Sequence, residues 1–375
     1  MTRIGLRNAW FQVHKWIGLI LAVLIIPISV TGSALIWHDQ IDEWMHPARH
    51  GGHGPAVLAP AAYADAARGA LAGGERLSRL DIPAKPGEPV IATANRPGRG
   101  RPVRLSLYLD PSDAHVIEKV NGGEGLFPVI HVLHGSLMWP GAGRLIVGWV
   151  GVAMLLSSLT GLWLWWPVTS SVRRGFRWKR HPNFDTNLHH QLGFWISVPL
   201  FVLSLTGVWI SFPPVFAGFD GPQPPRGPGP DRAALMRAQP LATPAISLEV
   251  AVARAVAAAP GKPVLIGWPT DLNPEWTVSV APEKGRPASV TVADKDGTAK
   301  VAPAPAGPPR QTLARTMRQI HDGSDLPFVW QLILFLGGLL PAILAVTGII
   351  MWWRARTWRG ALAERKRAAA ARAAG

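Results

Sequence analysis

The sequence predicts an integral membrane α-helical protein: four transmembrane helices arranged as a duplicated pair with pseudo-two-fold symmetry, plus two α+β modules outside the bilayer. Three observations predict it. Four long apolar runs carry no charged residue, and about 20 such residues suffice to cross a membrane. A histidine-headed pattern then recurs in register. His14, Gly18 and Thr31-Gly32 return as His189, Gly193 and Thr206-Gly207, an offset of 175. His134, Pro140, Thr160-Gly161 and Trp165-Trp166 return as His321, Pro327, Thr347-Gly348 and Trp352-Trp353, an offset of 187. Self-similarity of this kind is the signature of a fold built twice. Finally, the basic residues gather in three stretches, which hold fifteen of them against two acids (Asp185 and Glu364), or +13 of the formal +15.

Residues 1–15 are a basic arm carrying Arg3, Arg7 and Lys15. The run 16–37 is the first span; it is long, and no small-x-small cleavage site follows, so it reads as a span rather than a signal peptide. Residues 38–125 form the first outer module. A helix is expected over Ala59–Leu71 and strands near Leu77–Ile82, Val90–Ala94 and Arg104–Leu109. The turn Asp110-Pro111-Ser112-Asp113 then leads to His115–Val120. A histidine-bearing segment, 126–144, precedes the second span, 145–168.

A basic loop, 169–187, leads to the third span, 188–212. The second module, 213–317, repeats the plan: a helix over Ser247–Ala259 and strands near Val264–Trp268, Trp276–Val280 and Ser289–Ala293. The turn Asp294-Lys295-Asp296-Gly297 comes before Thr298–Val301. One helix on a few antiparallel strands is an α+β layer arrangement. Gly218–Pro230 and Ala302–Pro309, rich in Pro and Gly, read as linkers. A second histidine-bearing segment, 318–327, the fourth span, 328–353, and a basic tail, 354–375, complete the chain. Pro27, Pro199 and Pro341 inside three spans are tolerated in bundled membrane helices. The positive-inside rule puts both termini and the 169–187 loop in the cytoplasm and both modules outside. The basicity then records topology, and no nucleic-acid partner follows from it.

The chain has no cysteine, which excludes disulfides, Fe–S clusters, thiol nucleophiles and covalently attached haem. Twelve histidines remain as the ligand pool, with 7 Met and 2 Tyr. Topology sorts them. His14 and His189 head inward-starting spans; His134 and His321 precede outward-starting ones. Two copies with the same orientation are related by an axis along the membrane normal, so equivalent residues face each other at equal depth. That makes two pairs, His14 with His189 near the cytoplasmic face and His134 with His321 near the outer face. A flat macrocycle with iron near the axis, ligated from both sides, fits each pair. Two b-type haems would connect the faces, and two axial imidazoles leave the iron no open position, which suits electron transfer rather than oxygen binding. Ionisable groups at membrane depth are functional candidates by default.

Other histidines are secondary candidates. His190 adjoins His189 and is its substitute as a ligand, but its counterpart is Lys15, so ligation there breaks the symmetry, and Lys15 or His190 could instead meet a propionate or the headgroups. His131 lies three residues before His134 and shares its helical face; its counterpart Arg318 points to propionate or substrate contact as much as to ligation. His38 reads as an interface residue, and His46, His50 and His53 among Gly51, Gly52 and Gly54 as an exposed loop. The Thr-Gly pairs read as helix-packing devices, small residues that let backbones approach. Trp37 and the Trp-Trp pairs read as interfacial anchors.

His14-Lys15-Trp16-Ile17-Gly18, the Leu188-His189 segment ending at Gly193, and the Thr-Gly/Trp-Trp spans make the chain resemble the PepSY-associated transmembrane family, often called iron-regulated membrane proteins. That group includes inner-membrane siderophore reductases with two b-type haems. The resemblance covers nearly the whole chain, with the outer segments similar to PepSY domains. It implies that His14, His134, His189 and His321 are the haem ligands. It also implies that a ferric siderophore or other ferric chelate is reduced on the periplasmic side of the bacterial inner membrane. No nicotinamide or flavin fingerprint is evident, so the electrons are expected from a cytoplasmic reductant or membrane quinol. Two alternatives stay open: a haem-free regulatory or scaffold protein, and a metal or haem transporter that uses the histidines transiently.

Overall fold

The computed structural model describes residues 3–50, 54–98, 102–166, 172–220, 234, 237–303, 312–324 and 326–374. In chain order its elements are α1 (Arg3–Ile36), α2 (His38–Met45), α3 (Pro47–His50), α4 (Pro60–Gly69), β1 (Arg76–Asp81), β2 (Val90–Arg96), β3 (Val103–Leu109), β4 (Val116–Asn121), α5 (Leu126–Ser136), α6 (Gly143–Trp165), α7 (Val172–Gly175), α8 (Phe184–Ser211) and α9 (Pro213–Phe216). They continue with α10 (Leu248–Ala258), β5 (Lys262–Gly267), β6 (Glu275–Ala281), β7 (Ala288–Ala293), β8 (Ala299–Val301), α11 (Leu313–Asp322) and α12 (Phe328–Ala374). The chain divides into two compact units, 1–38 with 129–223 and 311–375, and 39–128 with 224–310.

The first unit holds four helices long and apolar enough to cross a membrane: α1, α6, α8 and α12. Together with the antiparallel sheet of the second unit they make a multi-pass membrane protein with an α+β part. The helices close a ring in which α1 packs on α6 and α12, and α8 packs on the same two. Helices α1 and α8 therefore stand diagonally across the ring. Close approach uses small residues. A Cβ on Gly338 would come within 2.5 Å of Ser33 Oγ, and Ser33 Oγ donates to Phe335 O at 2.9 Å, joining α1 to α12. On α6, a Cβ on Gly148 would meet the Phe212 ring at 2.6 Å and one on Gly151 the Val208 methyl at 3.1 Å.

Helix boundaries depart from the apolar runs. The expected arm 1–15 is helical from Arg3, and the expected tail continues α12 without a break to Ala374. Hydropathy marks only the part of a helix that lipid covers, whereas backbone hydrogen bonding continues through Arg- and Ala-rich sequence of good helix propensity. At ~1.5 Å per residue the 47 residues of α12 extend about 70 Å, more than twice a hydrocarbon core of about 30 Å.

The second unit is one antiparallel sheet in the order β4-β3-β2-β1-β5-β6-β7-β8. The two outer segments do not fold apart: β1 pairs with β5 through Arg79–Gly267, Leu80–Ile266 and Asp81–Leu265. Alternation selects the buried face, with Leu80, Val90, Ala92, Leu107, Ile266, Val278, Val290 and Val292 all at 0% exposure. Helices α4 and α10 pack on that sheet and on each other, and one apolar core results. Both expected turns are closed by side chains. Asp110 Oδ1 accepts from Ser112 N at 2.8 Å, and Asp296 Oδ1 from Thr298 N at 2.9 Å. His53, Gly51, Gly52 and most of the two Pro/Gly linkers lie outside the described residues.

Candidate functional site

The four span-heading histidines meet in the pairs that equal depth requires. The His14 and His189 rings stand 6.4 Å apart, centre to centre, at an interplanar angle of 86°. The His134 and His321 rings stand 6.2 Å apart at 39°. Two imidazoles on opposite sides of one metal, each bonded at ~2.0 Å with about 1.1 Å more from nitrogen to ring centre, have centres about 6.3 Å apart. Both separations match that requirement. Among the described residues no group of three or more His, Asp or Glu is placed to hold an ion, so these are two-ligand sites. Each pair offers two imidazoles, which suits a metal that brings its own square of four donors.

Each ring is held by a Thr-Gly pair of the antiparallel helix in its own half. His14 Nδ1 lies 3.1 Å from Thr160 Oγ1, His189 Nδ1 2.9 Å from Thr347 Oγ1, and His321 Nδ1 2.9 Å from Thr206 Oγ1. The three hydroxyls donate their own protons along their helices, to Leu156 O at 2.8 Å, Ile343 O at 2.9 Å and Val202 O at 2.8 Å. Having one proton each, they accept from the rings. His134 Nδ1 instead reaches Ile28 O at 2.9 Å, a carbonyl that only accepts. The Thr31 hydroxyl donates to Pro27 O and to that same Ile28 O. Carbonyls three residues before the threonine face the other rings too, from Ser157, Leu203 and Leu344. These acceptors suit the tautomer that protonates Nδ1 and leaves the Nε2 lone pair to a metal; at His14 the Ser157 Oγ also lies 3.2 Å from Nδ1.

The glycine of each pair lies under the ring edge. A Cβ would come 2.7 Å from Cε1 of His134 at Gly32, 3.1 Å from that of His14 at Gly161, 3.2 Å from that of His321 at Gly207, and 3.6 Å from that of His189 at Gly348. The Thr-Gly pairs therefore bring helix and imidazole together, while Gly337, Gly338, Gly148 and Gly151 lie against neighbouring helices. The missed signal was the repeat itself, because in an antiparallel hairpin the far end of one span lies beside the head of the next.

Around the His14/His189 pair is a cavity of about 400 Å³ lined by His14, His189, Gly18, Gly193, Gly161 and Gly348. Gly18 and Gly193, one turn after their histidines, would meet nothing within 4 Å of an added Cβ. They border open space against which a flat ring can lie. Gln12, Lys15, His190 and Arg359 also line it, so cations are available to carboxylates on such a ring. His190 does not partner His14; its ring stacks on that of His181 at 4.6 Å and 22°.

At the other pair, burial and then the neighbouring His134 push His321 down to about 4, which keeps it neutral at pH 7. Burial pushes the Asp322 carboxyl up, against the pull of Arg318 at 3.8 Å and of His131. His131 itself is exposed, one turn before His134, and Arg318 sits a turn before His321, on α11. His38 begins α2.

A family model described as the PepSY-associated TM region matches residues 11–355. A search of curated proteins found no match.

Proposed function

Taking as premise that this chain belongs to the PepSY-associated TM region family, we propose that it is a di-haem b electron-transfer protein that reduces a ferric chelate, a ferric siderophore in the first instance, and so releases its iron. It is a duplicated four-helix protein of the bacterial inner membrane with cytoplasmic termini and periplasmic PepSY-like modules. The +13 balance on the arm, short loop and tail supports that orientation. One observation carries the reading: two imidazole pairs at the spacing of bis-imidazole iron, each ring fixed by Nδ1 with Nε2 free.

When bound, the haems supply one-electron relays from a cytoplasmic reductant or membrane quinol to the ferric chelate outside. The residues do the rest. His14 and His189 bind one haem; His134 and His321 bind the other. Ile28, whose carbonyl holds His134, is fourteen residues beyond His14 on α1, which places the two sites about 21 Å apart along the helix. One site thus serves each face of a core about 30 Å thick. Lys15 and Arg359 neutralise propionates at the cytoplasmic site, where His190 can offer a hydrogen bond, and His131 and Arg318 meet propionates or the chelate at the outer one. The acceptor gains one electron per ferric ion. Ferrous iron, with less charge, holds hard oxygen donors less tightly and is released.

The absorption spectrum of the purified protein tests this reading. A Soret band that sharpens with dithionite and a b-type pyridine haemochrome giving two haems per chain are expected. Each double variant, His14→Ala/His189→Ala and His134→Ala/His321→Ala, should lose one of the two. A colourless preparation from haem-replete cells would favour the scaffold, and metal bound without porphyrin the transporter. Two haems retained in either double variant would refute that pairing.

A further inference from the structure

The two pairs are alike in spacing and unlike in orientation, and that difference has an electronic consequence. We propose that the Thr-Gly cradles are positioning devices that give the two haems of this chain different ligand-plane geometries, near-perpendicular at His14/His189 and nearer parallel at His134/His321. The proposal rests on the di-haem reading above.

An imidazole bound to a metal turns about the metal–nitrogen bond with little intrinsic resistance, so whatever grips its other nitrogen sets its plane. Here Nδ1 is gripped in every case and the ring edge lies against a glycine, which fixes the plane at two points. The 86° pair has a threonine hydroxyl on each side, Thr160 and Thr347, with Ser157 Oγ a second hydroxyl 3.2 Å from His14 Nδ1. The 39° pair has one hydroxyl, Thr206, and one carbonyl, that of Ile28. The odd acceptor and the smaller angle thus occur together. Thr31 makes the same bonds along its helix as the other three threonines, to Pro27 O at 2.5 Å and Ile28 O at 3.1 Å, but His134 bonds the carbonyl where the other rings meet the hydroxyl.

Perpendicular axial imidazoles donate π density equally to the two iron orbitals that lie along the haem normal, leaving those orbitals close in energy. Parallel imidazoles donate to one of them and split the pair. In the ferric low-spin state near-degeneracy retains orbital angular momentum and spreads the g-values widely, while splitting quenches it and narrows them. The two haems are therefore spectroscopically distinct although their ligands are chemically identical.

Low-temperature electron paramagnetic resonance of the oxidised holoprotein, with two haems per chain first established by pyridine haemochrome, tests this. Two low-spin ferric signals of equal weight are expected, one with a large maximal g-value and one rhombic. Thr160→Ala/Thr347→Ala should shift the large-g signal towards the rhombic form with the haem retained, and Thr160→Ser/Thr347→Ser should restore it. If the double alanine variant loses its haem, the single variants Thr160→Ala and Thr347→Ala carry the same expectation. Two haems with one common signal, or a large-g signal unmoved by loss of the hydroxyls, would overturn the inference and leave the di-haem reading standing. Absence of haem would overturn both.

Discussion

At the scale of single residues, the glycines under the four imidazoles make graded demands. A methyl group at Gly32 would sit 2.7 Å from His134 Cε1, inside contact distance, whereas one at Gly348 would sit at an ordinary 3.6 Å from His189 Cε1. Gly32→Ala is therefore expected to displace the His134 ring and cost about 1–3 kcal/mol of overpacking, read as weakened or lost haem at that pair. Gly348→Ala should leave haem content within error of the wild type. Haem stoichiometry of the two variants side by side checks the contrast; equal loss in both would mean that the glycines act on the helix and not on the ring. The pairing of His14 with His189 and of His134 with His321 was readable in the sequence because register and depth demand it. The grip of Thr160, Thr206 and Thr347 on Nδ1 was not, because a threonine-glycine pair looks the same whether a backbone or an imidazole lies against it.

Elements show a similar division. The strands of the second unit fall within a residue or two of their expected places, since alternation such as Val90, Ala92, Ala94 facing in reports burial directly. What alternation does not carry is which edge meets which, so the β1–β5 junction was invisible: Leu80 and Ile266 are buried in either case. The ends of α1 and α12 were likewise hidden, because charge marks the membrane boundary and not the helix boundary.

Ion pairs tie the edge strand β4 to its surroundings. Arg49 spans Glu118 with bonds of 2.5 and 2.9 Å, and Lys119 Nζ donates to Glu75 at 2.6 Å. The bond from Arg49 holds the Glu118 carboxyl below its ordinary range despite burial. Burial alone would raise Glu75, but Lys119 and the Ala72 amide outweigh it and hold it low as well. A carboxyl depressed on folding stabilises above its unfolded pKa and stops doing so as the pH falls through its folded one. Glu118 is 40% exposed, so solvent screening limits its pair to about 1 kcal/mol. Glu118→Gln should lower the melting midpoint of the sheet's circular dichroism in the full-length protein at pH 7, with the gap to wild type closing below pH 4. A gap that persists in acid would assign the loss to packing.

For the whole molecule, what matters is which contacts stay inside a half of the chain and which cross between halves. Each imidazole is gripped within its own half, His14 and His134 by residues before position 170 and His189 and His321 by residues after it. Each imidazole pair, and the β1–β5 junction, joins one half to the other. Fragments 1–170 and 171–375 produced in the same cells should therefore assemble and bind haem, while either made alone should not yield the intact spectrum. Haem binding by a single fragment as a monomer would show that the pairs are not shared in this way.

The junction in the middle of the sheet has one more consequence. A half-length chain would end in a bare β edge at Leu80 with one unshared imidazole at either surface, and the surface that satisfies all three is another half of the same build. Within one chain the two halves differ, and the Ile28 carbonyl serves His134 where the Thr206 hydroxyl serves His321, a distinction that no symmetric dimer can make.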